Sequence, residues 1–248
     1  MKFEKEDREH PEVIAILQAR FSSKRFPGKV LSDLNGRPML HWTLESLRRA
    51  RELKKIILAT SWERDDDAVA GFGEREGVSV FRGPLEDVAA RFRGVLERCP
   101  AEYFVRVNGD SPLLDYRLVD LLVREFRRRE VDIVTNVLRR SFPKGESVEV
   151  VRTRVFVEWS AQWTEKEDKE HVTRYFYRHA GRFRIHNIAA PADFSSCDLS
   201  VDREEQLERL RKIFTSLERE PWEYGWEYWV KRMGLERRDG GEEEEEKK

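Results

Sequence analysis

Between residues 18 and 29 the chain reads Gln-Ala-Arg-Phe-Ser-Ser-Lys-Arg-Phe-Pro-Gly-Lys. Four cations, Arg20, Lys24, Arg25 and Lys29, fall within ten residues, with the small Ser22 and Ser23 and the turn-former Gly28 among them. Such a loop can wrap a triphosphate: arginine gives forked, charge-assisted hydrogen bonds, lysine gives point charge, and backbone amides can meet the remaining oxygens. A solvated basic loop has the same composition, and the residues alone leave the two readings level. Two familiar phosphate sites are excluded. A Walker A loop, G-x-x-x-x-G-K-S/T, would need glycine where Ser23 stands and a hydroxyl where Val30 follows Lys29. No G-x-G-x-x-G dinucleotide fingerprint follows any expected strand.

Two acids could complete such a site. Asp110 stands in Asn108-Gly109-Asp110-Ser111-Pro112-Leu113, a constrained turn just past an apolar run, where a metal ligand belongs. Asp202 ends Asp-Leu-Ser-Val-Asp and reads equally as the N-cap of a helix starting at Arg203. Two remote carboxylates opposite a cationic loop would suit Mg²⁺, a hard cation that keeps open water positions.

The elements that must position these groups alternate. Short β-rich runs stand at 13–18, 55–60, 78–81, 103–107 and 131–136, with helices expected near Met39, Arg64, Leu85 and Tyr116. This predicts an α/β fold with a mostly parallel sheet and helices on both faces. Beyond Ser141 the pattern loosens: Ser-Val-Glu-Val-Val and Phe-Arg-Ile-His-Asn-Ile read as strands, 153–163 and 167–179 as helices, and 198–202 as a last strand. Leu207, Leu210, Phe214 and Leu217 then recur at helical core spacing. The expected organisation is a charged segment 1–12, one domain 13–217, a Trp-rich helical extension 218–235 and a disordered acidic tail 236–248.

Composition narrows the function classes. With 47 Lys+Arg against 48 Asp+Glu, a net charge of −1, no basic excess exists to draw nucleic acid or an anionic membrane. Charged residues make up 38% of the 248, above the roughly 25% of ordinary globular chains, a thermophilic pattern. No apolar run approaches the roughly 20 residues of a membrane helix, so a cytoplasmic protein is expected. Cys99 and Cys197 lack metal or redox spacing and are expected to be buried thiols.

Four segments in this order, AILQARFSSKRFPGKVL, RVNGDSPLLD, KEHVTRYFYR and LSVDREEQLERL, resemble the cytidylyltransferase superfamily of CMP-sugar synthetases. Within it they resemble the spore coat polysaccharide biosynthesis protein F branch, related to 3-deoxy-manno-octulosonate cytidylyltransferase. The resemblance runs from about Val13 to Phe214. It implies a three-layer, Rossmann-like nucleotide-diphospho-sugar transferase fold with CTP as donor and one or two Mg²⁺ ions. On the matching positions Arg20, Arg25 and Lys29 would hold the triphosphate, and Asp110 and Asp202 the metal. Gln18, Ala19, Ser22, Ser23, Lys24, Thr60, Gly83 and Asn108 would lie along the nucleotide. Glu149, His171 and Tyr175 would face the acceptor, although His171 beside Glu170 also suits a surface ion pair. Asn108 stands where the octulosonate enzymes usually carry glutamine, which bears on base choice. Family members often pair, so a homodimer is expected, with Trp222, Trp226, Tyr228 and Trp229 either in its interface or folded back on the chain's own body.

The implied reaction is attack of a small acceptor's oxygen on the α-phosphorus of CTP with release of pyrophosphate. Two rivals remain open. A metal-dependent glycosyltransferase of similar fold would usually carry Asp-x-Asp where this chain has Asn108-Gly109-Asp110. A nucleotide-binding assembly protein without turnover would not need the loop cations together with both acids.

Overall fold

The structure, a computed structural model, describes residues 13–23 and 25–235. The segments 1–12 and 236–248, and with them the charged N-terminal segment, the acidic tail and Lys24, lie outside the described residues. The strands are β1 (Val13–Gln18), a hairpin of β2 (Asp33–Leu34) and β3 (Arg37–Pro38), β4 (Lys55–Ser61), β5 (Ser79–Gly83), β6 (Tyr103–Asn108), β7 (Ile133–Thr135), β8 (Glu149–Arg152) and β9 (Ile185–Asn187). The helices are α1 (Met39–Arg49), α2 (Asp67–Arg75), α3 (Val88–Arg98), α4 (Tyr116–Arg127), α5 (Thr153–Ser160), α6 (Lys166–Glu170), α7 (Arg174–Arg178), α8 (Glu204–Phe214) and α9 (Trp226–Arg232).

Seven strands form one sheet in the order β5-β4-β1-β6-β8-β7-β9, parallel except for β8, which runs against both β6 and β7. β1 and β6, which carry the cationic loop and Asp110 at their carboxyl ends, are hydrogen-bonded neighbours with Gln18 level with Asn108. β1 is buried on both faces and divides its side chains by alternation: Val13, Ala15 and Leu17 join one core with α1, α2, α4, α8 and α9, while Ile14 and Ile16 join the other with α3, α5 and α7. This is the expected α/β sandwich of three layers.

Four local expectations are corrected. Residues 198–202 form no strand. Asp198 makes one isolated bridge to Lys144, and its carboxylate turns back to accept from Ser200 N at 2.9 Å, a local turn that draws a backbone donor away from any ladder. The helix expected over 167–179 is broken into α6 and α7, because Val172, fully buried, adopts a positive φ of 28° and carries the chain inward between them. Cys99 is half-buried rather than buried, whereas Cys197 is buried. The start of α3 falls at Val88 rather than near Leu85 because the Asp87 carboxylate caps Ala90 N at 2.7 Å. The hairpin of β2 and β3, turning at Asn35-Gly36, was signalled by that dipeptide and not read from it.

The Trp-rich segment folds back on its own chain. Trp226 meets Phe142 and Phe194 edge-on at ring-centroid distances of 5.4 and 5.0 Å, and Trp229 stacks on Phe214 at 6.0 Å. Trp222 stacks on Trp42 at 6.2 Å beneath the Arg49 guanidinium. Trp226 and Trp229 thus belong to the same core as α1, α4 and α8: of the two places expected for them, they take the one on the chain's own body, and the homodimer expectation keeps only its ground in the family likeness. Trp229→Ala, which empties a site 1% exposed, is expected to lower unfolding free energy by about 3–5 kcal/mol in urea titration.

Candidate active site

A cavity of about 530 Å³ opens at the carboxyl ends of β1 and β6. From the end of β1 and the loop after it come Gln18, Ala19, Arg20, Ser22, Ser23, Arg25 and Lys29; from the end of β6 and its turn, Asn108 and Asp110; and from later segments His171 and Asp202. Eleven of the expected site residues therefore share one space.

At its floor lies Lys29, only 7% exposed. The Lys29 ammonium donates to Asp110 Oδ2 at 2.9 Å, to Asp202 Oδ1 at 2.8 Å and to the Val201 carbonyl at 2.9 Å. All three of its N–H groups are engaged. Arg25 meets the other oxygen of Asp202 at 2.6 Å, so two cations balance two carboxylates. Burial works to raise the Asp202 carboxyl, but hydrogen bonds and charge from Lys29 and Arg25 together outweigh it and hold the group below its ordinary value. Asp202 is not the cap of α8: Gln206 Oε1 accepts from Asp202 N and Arg203 N at 2.7 and 3.0 Å, leaving the Asp202 side chain for the cluster. A backbone bond from Val201 N to Asp110 O at 3.0 Å fixes the two acids' segments together.

The turn carrying Asp110 is close-packed. A Cβ at Gly109 would lie 2.8 Å from Leu40 Cδ1 and 2.9 Å from Ala19 Cβ, so only glycine lets this turn press against the start of the loop. Behind it, Glu146 is fully buried and its Oε2 accepts from Asp115 N at 2.9 Å. The loop itself is pinned by Asp66, 1% exposed, which accepts from Phe21 N at 2.5 Å and from Ser61 N at 3.0 Å. Arg20 crosses to Glu170 on α6 at 2.9 Å. Arg106 on β6 organises the side facing α7: it donates to Glu149 Oε2 at 2.5 Å and to Gln18 Oε1 at 3.1 Å, and its Nη2 lies 3.5 Å from Asn108 Oδ1.

Four expected residues do not line the cavity. Glu149 is 2% exposed and its carboxylate is taken by Arg106, by Thr173 Oγ1 at 2.6 Å and by the Tyr177 hydroxyl. It reaches the site only through Arg106. Burial first, and then the Glu149 charge, push the Tyr177 phenol well up. Tyr175 belongs to an aromatic cluster with Trp159, Trp163 and His179. Thr60 is fully buried in β4, and Gly83 ends β5 beneath the stem of Arg91. Sequence reasoning missed Asp66, Arg91, Arg106 and Glu170; apart from the sequence position of Glu170 beside His171, nothing local marked them.

Asp110 and Asp202 suit a divalent cation. They already converge on one positive centre, the Lys29 ammonium, through hard oxygen donors from two segments. The arrangement can therefore bind a polyphosphate through the loop cations and hold a cation against it through the acids.

The sequence model of a family described as cytidylyltransferase matches residues 14–228. Spore coat polysaccharide biosynthesis protein SpsF of Bacillus subtilis is 30% identical over 210 residues, spanning 82% of this chain and 86% of that protein. Among solved structures, a cytidylyltransferase from Leptospira borgpetersenii superposes with a TM-score of 0.86 at 25% identity, covering 91% of this chain and 94% of that one. CMP:2-keto-3-deoxy-manno-octonic acid synthetase complexed with CTP shares the fold, with a TM-score of 0.61 at 19% identity over 82% of this chain and 98% of that one.

The buried acid behind the Asp110 turn yields a pH prediction. Burial is the chief cause that pushes the Glu146 carboxyl well above its ordinary value of 4.5; the Asp115 amide opposes this, and the charges of Asp115 and Glu227 add to it. A raised folded-state pKa gives stability that is full below the unfolded value and is lost as pH rises through the folded one. Glu146→Gln, permanently neutral and of similar shape, is expected to raise the melting temperature relative to the parent at pH 8 and to leave it unchanged below about pH 4. Thermal melts of both proteins across that range check it.

Proposed function

The chain belongs to the cytidylyltransferase family, and from that premise we propose that it transfers CMP from CTP to a small sugar, sugar-acid or related acceptor and releases pyrophosphate. The observation that carries this reading is the convergence of Asp110 and Asp202 on the Lys29 ammonium beside Arg20 and Arg25. Binding a triphosphate requires an exchange of partners, because every Lys29 donor is engaged and Arg25 is held by Asp202. The incoming phosphate oxygens take Lys29 and Arg25, and the two carboxylates are left to hold Mg²⁺. Bound there, Mg²⁺ supplies Lewis-acid stabilisation of charge on the phosphoryl oxygens.

The remaining work belongs to the chain's own residues. Arg20, Arg25 and Lys29 stabilise the charge that develops as the acceptor oxygen bonds to the α-phosphorus and the bond to the bridging α–β oxygen breaks. The electron pair of that bond leaves on pyrophosphate. Gln18 and Asn108, oriented by Arg106, face the nucleotide, and Arg106 is fixed by its ion pair with Glu149. His171 and Glu170 line the side from which an acceptor enters. No covalent enzyme intermediate is needed.

Three outcomes are expected. CTP with Mg²⁺ raises the melting temperature more than ATP, GTP or UTP does, and purified protein releases pyrophosphate from CTP when pooled sugar and sugar-acid acceptors are added. Asp110→Asn and Asp202→Asn each abolish that release while the circular-dichroism spectrum stays that of the parent. Arg25→Ala and Lys29→Ala each weaken CTP binding by about 1.5–3 kcal/mol, read by calorimetric titration. Pyrophosphate release undiminished by Asp202→Asn would remove the acid pair from the mechanism.

A further inference from the structure

Among the described residues three carboxylates line the active-site cavity: Asp110, Asp202 and Glu170. The first two meet Lys29, and the reading above gives them a metal. Glu170 stands apart from them. It ends α6, and its Oε1 accepts from Arg20 Nη2 at 2.9 Å, an ion pair that joins α6 to the phosphate-binding loop. Both side chains are partly exposed, so a ligand in the cavity can compete for either. The helix is also fastened by other pairs. Lys166 meets Glu86 at 3.1 Å and Lys169 meets Asp87 at 4.0 Å, which ties α6 to the segment before α3. Asp168, 2% exposed, receives Arg174 at 2.8 Å and Arg178 at 2.6 Å from α7. When a triphosphate draws Arg20 away, Glu170 therefore keeps its place and loses the guanidinium that balanced it.

A carboxylate beside phosphate oxygens is repelled by them unless a donor group comes between, and an attacking hydroxyl is such a donor. We infer that Glu170 is the general base of the transfer. Its carboxylate accepts the proton of the acceptor's hydroxyl as that oxygen bonds to the α-phosphorus, while the bond to the bridging α–β oxygen breaks and its electron pair leaves on pyrophosphate. The inference rests on the cytidylyl-transfer reading above. Arg20 holds Glu170 until a triphosphate competes for the guanidinium, so the nucleotide itself readies the base. His171 lines the same cavity, but it is Glu170 that is joined to a phosphate-binding side chain.

Two measurements on the parent and on Glu170→Gln test it: calorimetric titration of CTP, and pyrophosphate release from CTP with Mg²⁺ and the pooled sugar and sugar-acid acceptors. Glutamine keeps the size of the side chain and can still accept from Arg20, but it neither competes as a charge nor takes up a proton. The substitution is expected to tighten CTP about two- to fivefold, because the triphosphate no longer displaces an ion pair or faces a carboxylate. Pyrophosphate release at saturating CTP is expected to fall by at least about a hundredfold. A residue that only braces the fold, or that binds the ribose or the metal, would leave CTP binding unchanged or weaker in the variant, and that result overturns the inference without any acceptor being needed. Tighter CTP with undiminished release also overturns it, since the proton then goes to His171 or to water. The two readings fail separately. A parent that binds no CTP sinks cytidylyl transfer, whereas a parent that binds CTP and releases pyrophosphate no faster than Glu170→Gln sinks only the role of Glu170.

Discussion

Two carboxylates facing each other in a half-buried cavity repel unless a cation lies between them, and in this chain the cation is the ammonium of Lys29. That one group joins three segments distant in sequence: the loop after β1, the turn after β6 and the approach to α8. Its third bond, to the Val201 carbonyl, makes the joint as much a backbone contact as an ion pair. The geometry of the acids is thereby set before any ligand arrives, and in the proposed reaction a triphosphate would draw these cations away from balanced partners. Such exchange costs less than exposing bare charge, since each group moves from one opposite charge to another.

The rest of the fold holds that joint in place. β1 and β6 are inner strands of the sheet and pair in register, so the two segments that meet at Lys29 issue from side by side in its buried interior. α8, which follows Asp202, is seated by Leu207, Leu210 and Phe214, and Phe214 is in turn covered by Trp229. The C-terminal aromatic segment thus supports the acid at 202 from behind. On the opposite side β8, the one reversed strand, brings Glu149 against Arg106 and so ties the sheet to Thr173 and Tyr177 beyond the break at Val172.

Much of this was legible in the sequence, for a reason that also explains the failures. The loop and the Asn108-Gly109-Asp110 turn are local patterns, and their residue types follow from charge and from the close approach that only Gly109 permits. Strand placement followed from apolar runs long enough to be buried on both faces. Residues 198–202 misled because Leu199 and Val201 alternate as in a strand, yet their burial comes from docking against the core and the backbone is governed by Asp198. The break at Val172 depends on a positive φ paid for by burial elsewhere, which no propensity reveals. Arg91, Arg106 and Asp66 stand in no local pattern; only the tertiary contacts show that they are buried or nearly so. Glu149 and Tyr175 were placed by likeness to a segment, and likeness does not say which way a side chain faces.

The measurement closest to the centre is a crystal structure with CTP and Mn²⁺, with the ion located by its anomalous scattering. The expected result is manganese bound by Asp110 and Asp202, with Lys29 Nζ moved onto a phosphate oxygen. Manganese bound elsewhere while Lys29 keeps its bonds to both acids and to the Val201 carbonyl would contradict the exchange, and with it the role of the acid pair in catalysis.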